Sequence, residues 1–206
     1  MNLEPRHSAF LTKGTPATTG KRTYVVMGAM RGGTSMVGGV MRGLGIHMGN
    51  NIQDNNHECK DFANRPVPHM LQAVKDNSKD HDVWGWKFPN AANYLDRLFG
   101  KLKRPHLICV FRDVVSNGSG INRWHPFGEM QAVQTAALQQ QKNLNMIALR
   151  GCPSILISYE KAVRHPEQFV TEFSDLLGYK PDHDAFDFES FMAPGSYKSF
   201  DEFSKK

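Results

Sequence analysis

Cysteine is scarce in this chain. Only Cys59, Cys109 and Cys152 occur among 206 residues, an odd and scattered set. They form neither a disulfide framework nor a zinc-binding spacing, which points to a reducing compartment. The nine histidines fall at no metal-ligand spacing either; His47, His81 and His125 read as surface or packing residues. No run of about 18 apolar residues exists, which excludes a membrane-spanning helix. The first residues also lack the apolar core of a secretion signal, so a cytoplasmic protein is expected. No internal repeat is present. With 22% charged and 40% apolar residues, the composition is globular rather than disordered, fibrous or coiled-coil.

The length suits one domain. Residues 1–21 are rich in Pro, Thr, Gly and basic residues without periodicity and read as a flexible lead-in. Residues 22–192 form the expected domain, and 193–206 an aperiodic tail. Within the domain, short apolar runs alternate with helical patterns. Tyr24–Met27, Val83–Phe88, His106–Phe111 and Ser154–Ser158 are nearly continuous in apolar character, as strands covered on both faces must be. Helices are expected around Val37–Leu44, around Leu95–Phe99, over Glu129–Leu149 and from Pro166 to the stop at Gly178. On the Glu129–Leu149 helix, Met130, Val133, Ala137, Leu144 and Ile147 read as one apolar side. The alternation predicts an α/β three-layer sandwich: a parallel sheet of four to five strands with helices on both faces. Ligands of such folds bind at the carboxyl ends of the strands.

Three such strand ends carry cationic residues. The first strand runs into Gly28-Ala-Met-Arg-Gly-Gly-Thr-Ser35 and then a helix, the spacing of a phosphate-binding loop. Glycines let backbone N–H groups turn around an anion, and the helix N-terminus faces it. The lysine of a nucleotidase loop is absent: Thr34 stands after Gly33, and Arg31 is the loop's cation. The third strand ends in Arg112-Asp113, where a guanidinium suits bidentate phosphate binding. The second ends in Lys87 ahead of Pro89. A net charge of +5 fits an anionic ligand, and these three positions give part of it a location.

Met30-Arg-Gly-Gly-Thr-Ser35 resembles the 5′-phosphosulfate loop of sulfotransferases, which use 3′-phosphoadenosine-5′-phosphosulfate (PAPS) as sulfuryl donor and release 3′,5′-adenosine bisphosphate (PAP). The resemblance extends over roughly residues 24–179 and includes Tyr159-Glu160 with its following amphipathic helix. It implies that Arg31, Gly32, Gly33, Thr34 and Ser35 hold the 5′-phosphosulfate. It implies that Arg112 binds the 3′-phosphate together with a serine, Ser119 in first place and Ser116 in second. Lys87 sits in a Lys-x-Pro setting like that of carbohydrate sulfotransferases, where the lysine stabilises charge on the leaving group or meets the acceptor. The Asn-rich segment over residues 45–62 resembles the acceptor loop of bacterial members, with Glu58 as candidate general base, His57 as rival and Asp61 as a lesser choice. By the same resemblance the tail, through Lys198, closes over the nucleotide. Trp124 and His125, in a loop after the third strand, are candidates to face the acceptor, since a sugar ring stacks well on an indole.

The expected activity is transfer of a sulfuryl group from PAPS to a hydroxyl or amine of a small molecule or glycan, with no metal, nucleic-acid or membrane partner. Two other readings are carried alongside it. A P-loop kinase or NTPase would bind Mg-ATP, with Thr34 or Ser35 and Asp113 on the metal. A non-catalytic module would hold nucleic acid or an acidic partner through a basic run such as Lys101, Lys103 and Arg104.

Overall fold

Among the described residues, seven strands and eight α-helices follow one another. The strands are β1 Phe10–Lys13, β2 Arg22–Gly28, β3 Ile52–Gln53, β4 Glu58–Cys59, β5 Val83–Lys87, β6 Pro105–Phe111 and β7 Ser154–Ser158. The helices are α1 Thr34–Gly43, α2 Val67–Asp80, α3 Leu95–Leu98, α4 Val114–Trp124, α5 Glu129–Leu149, α6 Tyr159–Arg164, α7 Pro166–Leu177 and α8 Phe188–Met192. The structure is a computed structural model, and it describes residues 8–195 and 197–205.

The main sheet has the order β1-β7-β6-β2-β5. β7, β6, β2 and β5 are parallel, and β1 pairs antiparallel with β7 from Phe10↔Ile157 to Lys13↔Ser154. The expected sheet is therefore present with a fifth strand. That strand corrects the reading of residues 1–21 as a loose lead-in: Phe10–Lys13 is an ordered edge. Four residues, two of them exposed, are too few to show a period.

Alternation along the parallel strands explains their apolar runs. Tyr24, Val26, Ile108, Val110, Ile155 and Ile157 face α1, α7 and α8. Val25, Met27, Leu107 and Cys109 face the other way, onto Trp84, Trp86, Phe62 and helices α2, α3 and α5. Both faces are covered, so successive residues are all apolar. The buried side of α5 differs from the expected one. It is Ala132, Ala136, Asn143, Met146 and Ile147, while Met130 and Leu144 are exposed. Small alanines face inward there because α4 lies close against this helix.

Helix α4 is an addition to the expected helices; Gly118 and Gly120 lower its intrinsic helix propensity. Its start is set by Asp113, whose carboxylate accepts from the Ser116 N–H. Gly118 allows the helix pair to meet: a Cβ there would lie 2.7 Å from the Cα and N of Val133. Gly118→Ala is expected to destabilise the protein by about 1–2 kcal/mol, since overpacking against backbone outweighs the ~1 kcal/mol gain in helix propensity. Urea unfolding with an unchanged m-value measures it; a stability gain would show that the helices separate freely.

Candidate active site

The strand order reverses direction beside β2: β5 lies on one side of it and β6 on the other. A crevice must open at the carboxyl ends there. A cavity of about 120 Å³ occupies that place. Arg31, Gly33, Thr34, Ser35, His57, Glu58, Lys87, Arg112 and Lys198 all line it. Gly32, Ser116 and Ser119 are not among its lining residues; both serines are exposed on α4.

The loop after β2 owes its shape to close contacts. Gly33 has φ 91 and its missing Cβ would sit 2.2 Å from the Tyr159 ring, so only glycine fits. The Gly32 N–H donates to Ala29 O at 3.0 Å. Arg31 is held at φ 60, a strained value for a side-chain-bearing residue. Two side chains outside the loop brace it: Asn117 donates to Met30 O, and Gln139 accepts from Met30 N at 2.8 Å. Gln140 braces the end of β6 by donating to Arg112 O at 2.7 Å. No side chain caps α1, and its first turn carries no acid. The orphan N–H groups of its first residues thus face the cavity, a ready seat for an anion.

Two arginines flank that seat. The Arg112 guanidinium lies over the Tyr159 ring at 4.8 Å and donates to Arg31 O at 3.1 Å. Arg31 lies between two aromatic faces, 5.4 Å from Trp124 and 4.8 Å from Tyr197. Glu160 accepts from the Asp113 N–H at 2.8 Å, so its carboxylate fixes the turn after β6.

Lys87 reaches the loop from β5. It is 1% exposed, and its ammonium donates to Ser35 Oγ at 3.2 Å, Asn56 O at 3.1 Å and Glu58 Oε1 at 2.9 Å. Three donors meet three acceptors, which is what a buried ammonium requires. Burial nevertheless pulls its pKa down to about 8, opposed by Glu58 and assisted by Arg31.

His57 lies beside this pair with φ 57 and 1% exposure. Arg42 Nη1 is 2.9 Å from its Nδ1. Arginine only donates, so Nδ1 accepts and the neutral ring carries its proton on Nε2. Burial, then the charges of Arg42 and Lys87, lower its pKa to about 4. The C-terminal segment is tied to the same region. Asp54 accepts from Ser199 Oγ and from the Phe200 N–H, and it pairs with Arg42 at 3.3 Å. Lys198 donates to Ser190 O, Phe191 O and Ala193 O at the end of α8. Its ammonium is thus engaged by carbonyls, although its side chain lines the cavity. Ser196 lies outside the described residues.

No protein-family model and no curated protein matches the sequence. Solved structures do. A sulfotransferase domain from the Synechococcus PCC 7002 olefin synthase superposes with a TM-score of 0.57 at 14% identity, over 83% of this chain and 76% of that one. A sulfotransferase domain from the curacin biosynthetic pathway gives 0.50 at 15% identity, over 90% and 89%. The chain has a sulfotransferase fold.

On that fold, the basic run Lys101, Lys103 and Arg104 is exposed and precedes β6, at the sheet end opposite the cavity. Asp61 lies apart from the cavity lining and accepts from Asn51 at 3.4 Å. His47 and His81 stack at 3.7 Å, and His47 forms a backbone bridge to Trp84 at the β5 edge. Among the described residues no His, Cys, Asp and Glu cluster is arranged to hold a metal ion, and no helix is long and apolar enough to cross a membrane. The braces Asn117, Gln139 and Gln140, and the Arg42–Asp54 pair, carry no sequence signature. Each acts on backbone or on another side chain across the fold.

The His57 shift has a consequence for stability. Its folded pKa lies below the unfolded value near 6.5, so the unfolded chain takes up the proton first as pH falls. Stability is expected to decline from about pH 6.5 toward pH 4. His57→Gln, which still accepts from Arg42, is expected to flatten that slope in pH-dependent urea unfolding. An unchanged slope would mean that the folded protein protonates His57 freely.

Proposed function

We propose that this protein is a PAPS-dependent sulfotransferase. The observation that carries the reading is the convergence of Arg31, Lys87 and Arg112 on one cavity, around an uncapped helix N-terminus, from three adjacent strand ends. A donor with two separate anionic groups needs cations in two places, and the loop lacks the lysine that a kinase uses. Asp113, the expected metal ligand of the kinase reading, is instead spent on capping α4.

In this reading the α1 N-terminus, with Thr34, Ser35 and Arg31, holds the 5′-phosphosulfate, and Arg112 pairs with the 3′-phosphate. The acceptor oxygen attacks sulfur as the bond from sulfur to the bridging phosphate oxygen breaks. Lys87 neutralises the charge that builds on that oxygen, and PAP leaves. Glu58 takes the acceptor proton. Its favour over His57 rests on availability: the His57 Nδ1 lone pair already accepts from Arg42. The Glu58 carboxylate is partly exposed toward the cavity.

At a hundredfold excess over Kd, PAP is expected to raise the melting temperature by roughly 5–10 °C. Arg112→Ala is expected to weaken PAP binding by roughly ten- to a hundredfold, measured by calorimetry. Stabilisation by Mg-ATP alone would overturn the reading. Glu58→Gln is expected to lower kcat by about 100-fold or more with PAP affinity retained. A fall below tenfold in radiolabelled sulfate transfer would remove Glu58 from the base role.

A further inference from the structure

We propose that the acceptor is a carbohydrate seated against the indole of Trp124, in a second cavity that shares the Glu58 wall with the first. The inference rests on the sulfotransferase reading and deepens it. The second cavity has a volume of about 290 Å³. It shares Arg31, Asn55, Glu58 and Tyr197 with the donor cavity, so the candidate base faces both spaces. A hydroxyl in the second cavity then meets the base and the donor across one wall, which is the placement an in-line displacement requires.

The lining identifies the class of acceptor. Trp84 and Trp86 are 1% and 0% exposed, whereas Trp124 at the end of α4 is 58% exposed. A large apolar face left in water at a cavity mouth marks a binding surface. The indole is also fixed as a wall. Arg31 lies over its ring at 5.4 Å, and the Tyr197 ring meets it edge-on at 6.5 Å. The same cavity is lined by three carboxamides, Gln53, Asn55 and Asn56. Each carboxamide both donates and accepts, as neighbouring hydroxyl groups do. One aromatic wall with a carboxamide rim matches a pyranose, which has an apolar C–H face and a hydroxyl edge. A flat phenol needs no such polar rim, whereas here the apolar part of the lining, Met30, Pro89, Trp124 and Tyr197, is bordered by the three carboxamides.

Because the other two tryptophans are buried, acrylamide quenching of indole fluorescence reads Trp124. PAP-loaded protein, with PAP binding measured separately by calorimetry, is titrated with cello-, chito- and malto-oligosaccharides and in parallel with 4-methylphenol. At least one oligosaccharide series is expected to shield Trp124, and 4-methylphenol is not. Trp124→Ala is expected to weaken that saccharide by about tenfold while PAP affinity changes by less than about threefold, and Trp124→Phe restores most of the loss. If PAP binds but no saccharide shields the indole, or the phenol does so instead, the carbohydrate acceptor is overturned and the donor reading stands. If PAP itself does not bind, both fall.

Discussion

A buried ammonium with three acceptors organises this site. Lys87 stands on β5, yet its partners come from the phosphate-type loop (Ser35) and from the segment around the β3–β4 hairpin (Asn56 and Glu58). Leaving any N–H of a 1% exposed lysine without a partner would cost several kcal/mol. Satisfying it therefore pins the hairpin against the loop, and with it the candidate base against the anion seat. His57 follows from the same constraint: it is packed beside this ammonium and its own partner Arg42, and two cations together with burial keep its ring neutral. Arg42 in turn pairs with Asp54, which accepts from Phe200 of the C-terminal segment.

The second support is steric. The anion seat needs a tight turn, and Gly33 under the Tyr159 ring provides it. Tyr159 also lies under Arg112, so one ring sets both the turn and the guanidinium. The loop backbone is then held from behind by Asn117 on α4 and by Gln139 on α5. The geometry of the loop is carried here by neutral side chains on long helices rather than by further charges.

Much of this was legible in the sequence, for reasons that can be stated. The parallel strands are apolar on both faces and announce themselves as continuous runs; α5 and α7 end where Leu149 and Gly178 say they should. Arg31, Lys87 and Arg112 were readable because strand ends are where an α/β sheet places its ligands. The rest depends on distance in space. β1 is too short and too exposed to show a period, and α4 carries glycines that matter only once Val133 is beside them. The inner side of α5 was misread because its partner is another helix, which selects alanines over the larger residues that periodicity favours. Lys198 was legible as a cation, but its engagement with the α8 carbonyls was not.

Helix α1 carries one more implication. Its adjacent glycines do no chemistry, yet a Cβ on Gly39 would fall 2.0 Å from the Phe191 ring, and one on Gly38 would press on Lys87 and His57 at 3.3 Å. The helix thus forgoes some intrinsic propensity so that its backbone can pack closely under the cavity. A side chain at either position would displace the ring or the ammonium that frames the cavity.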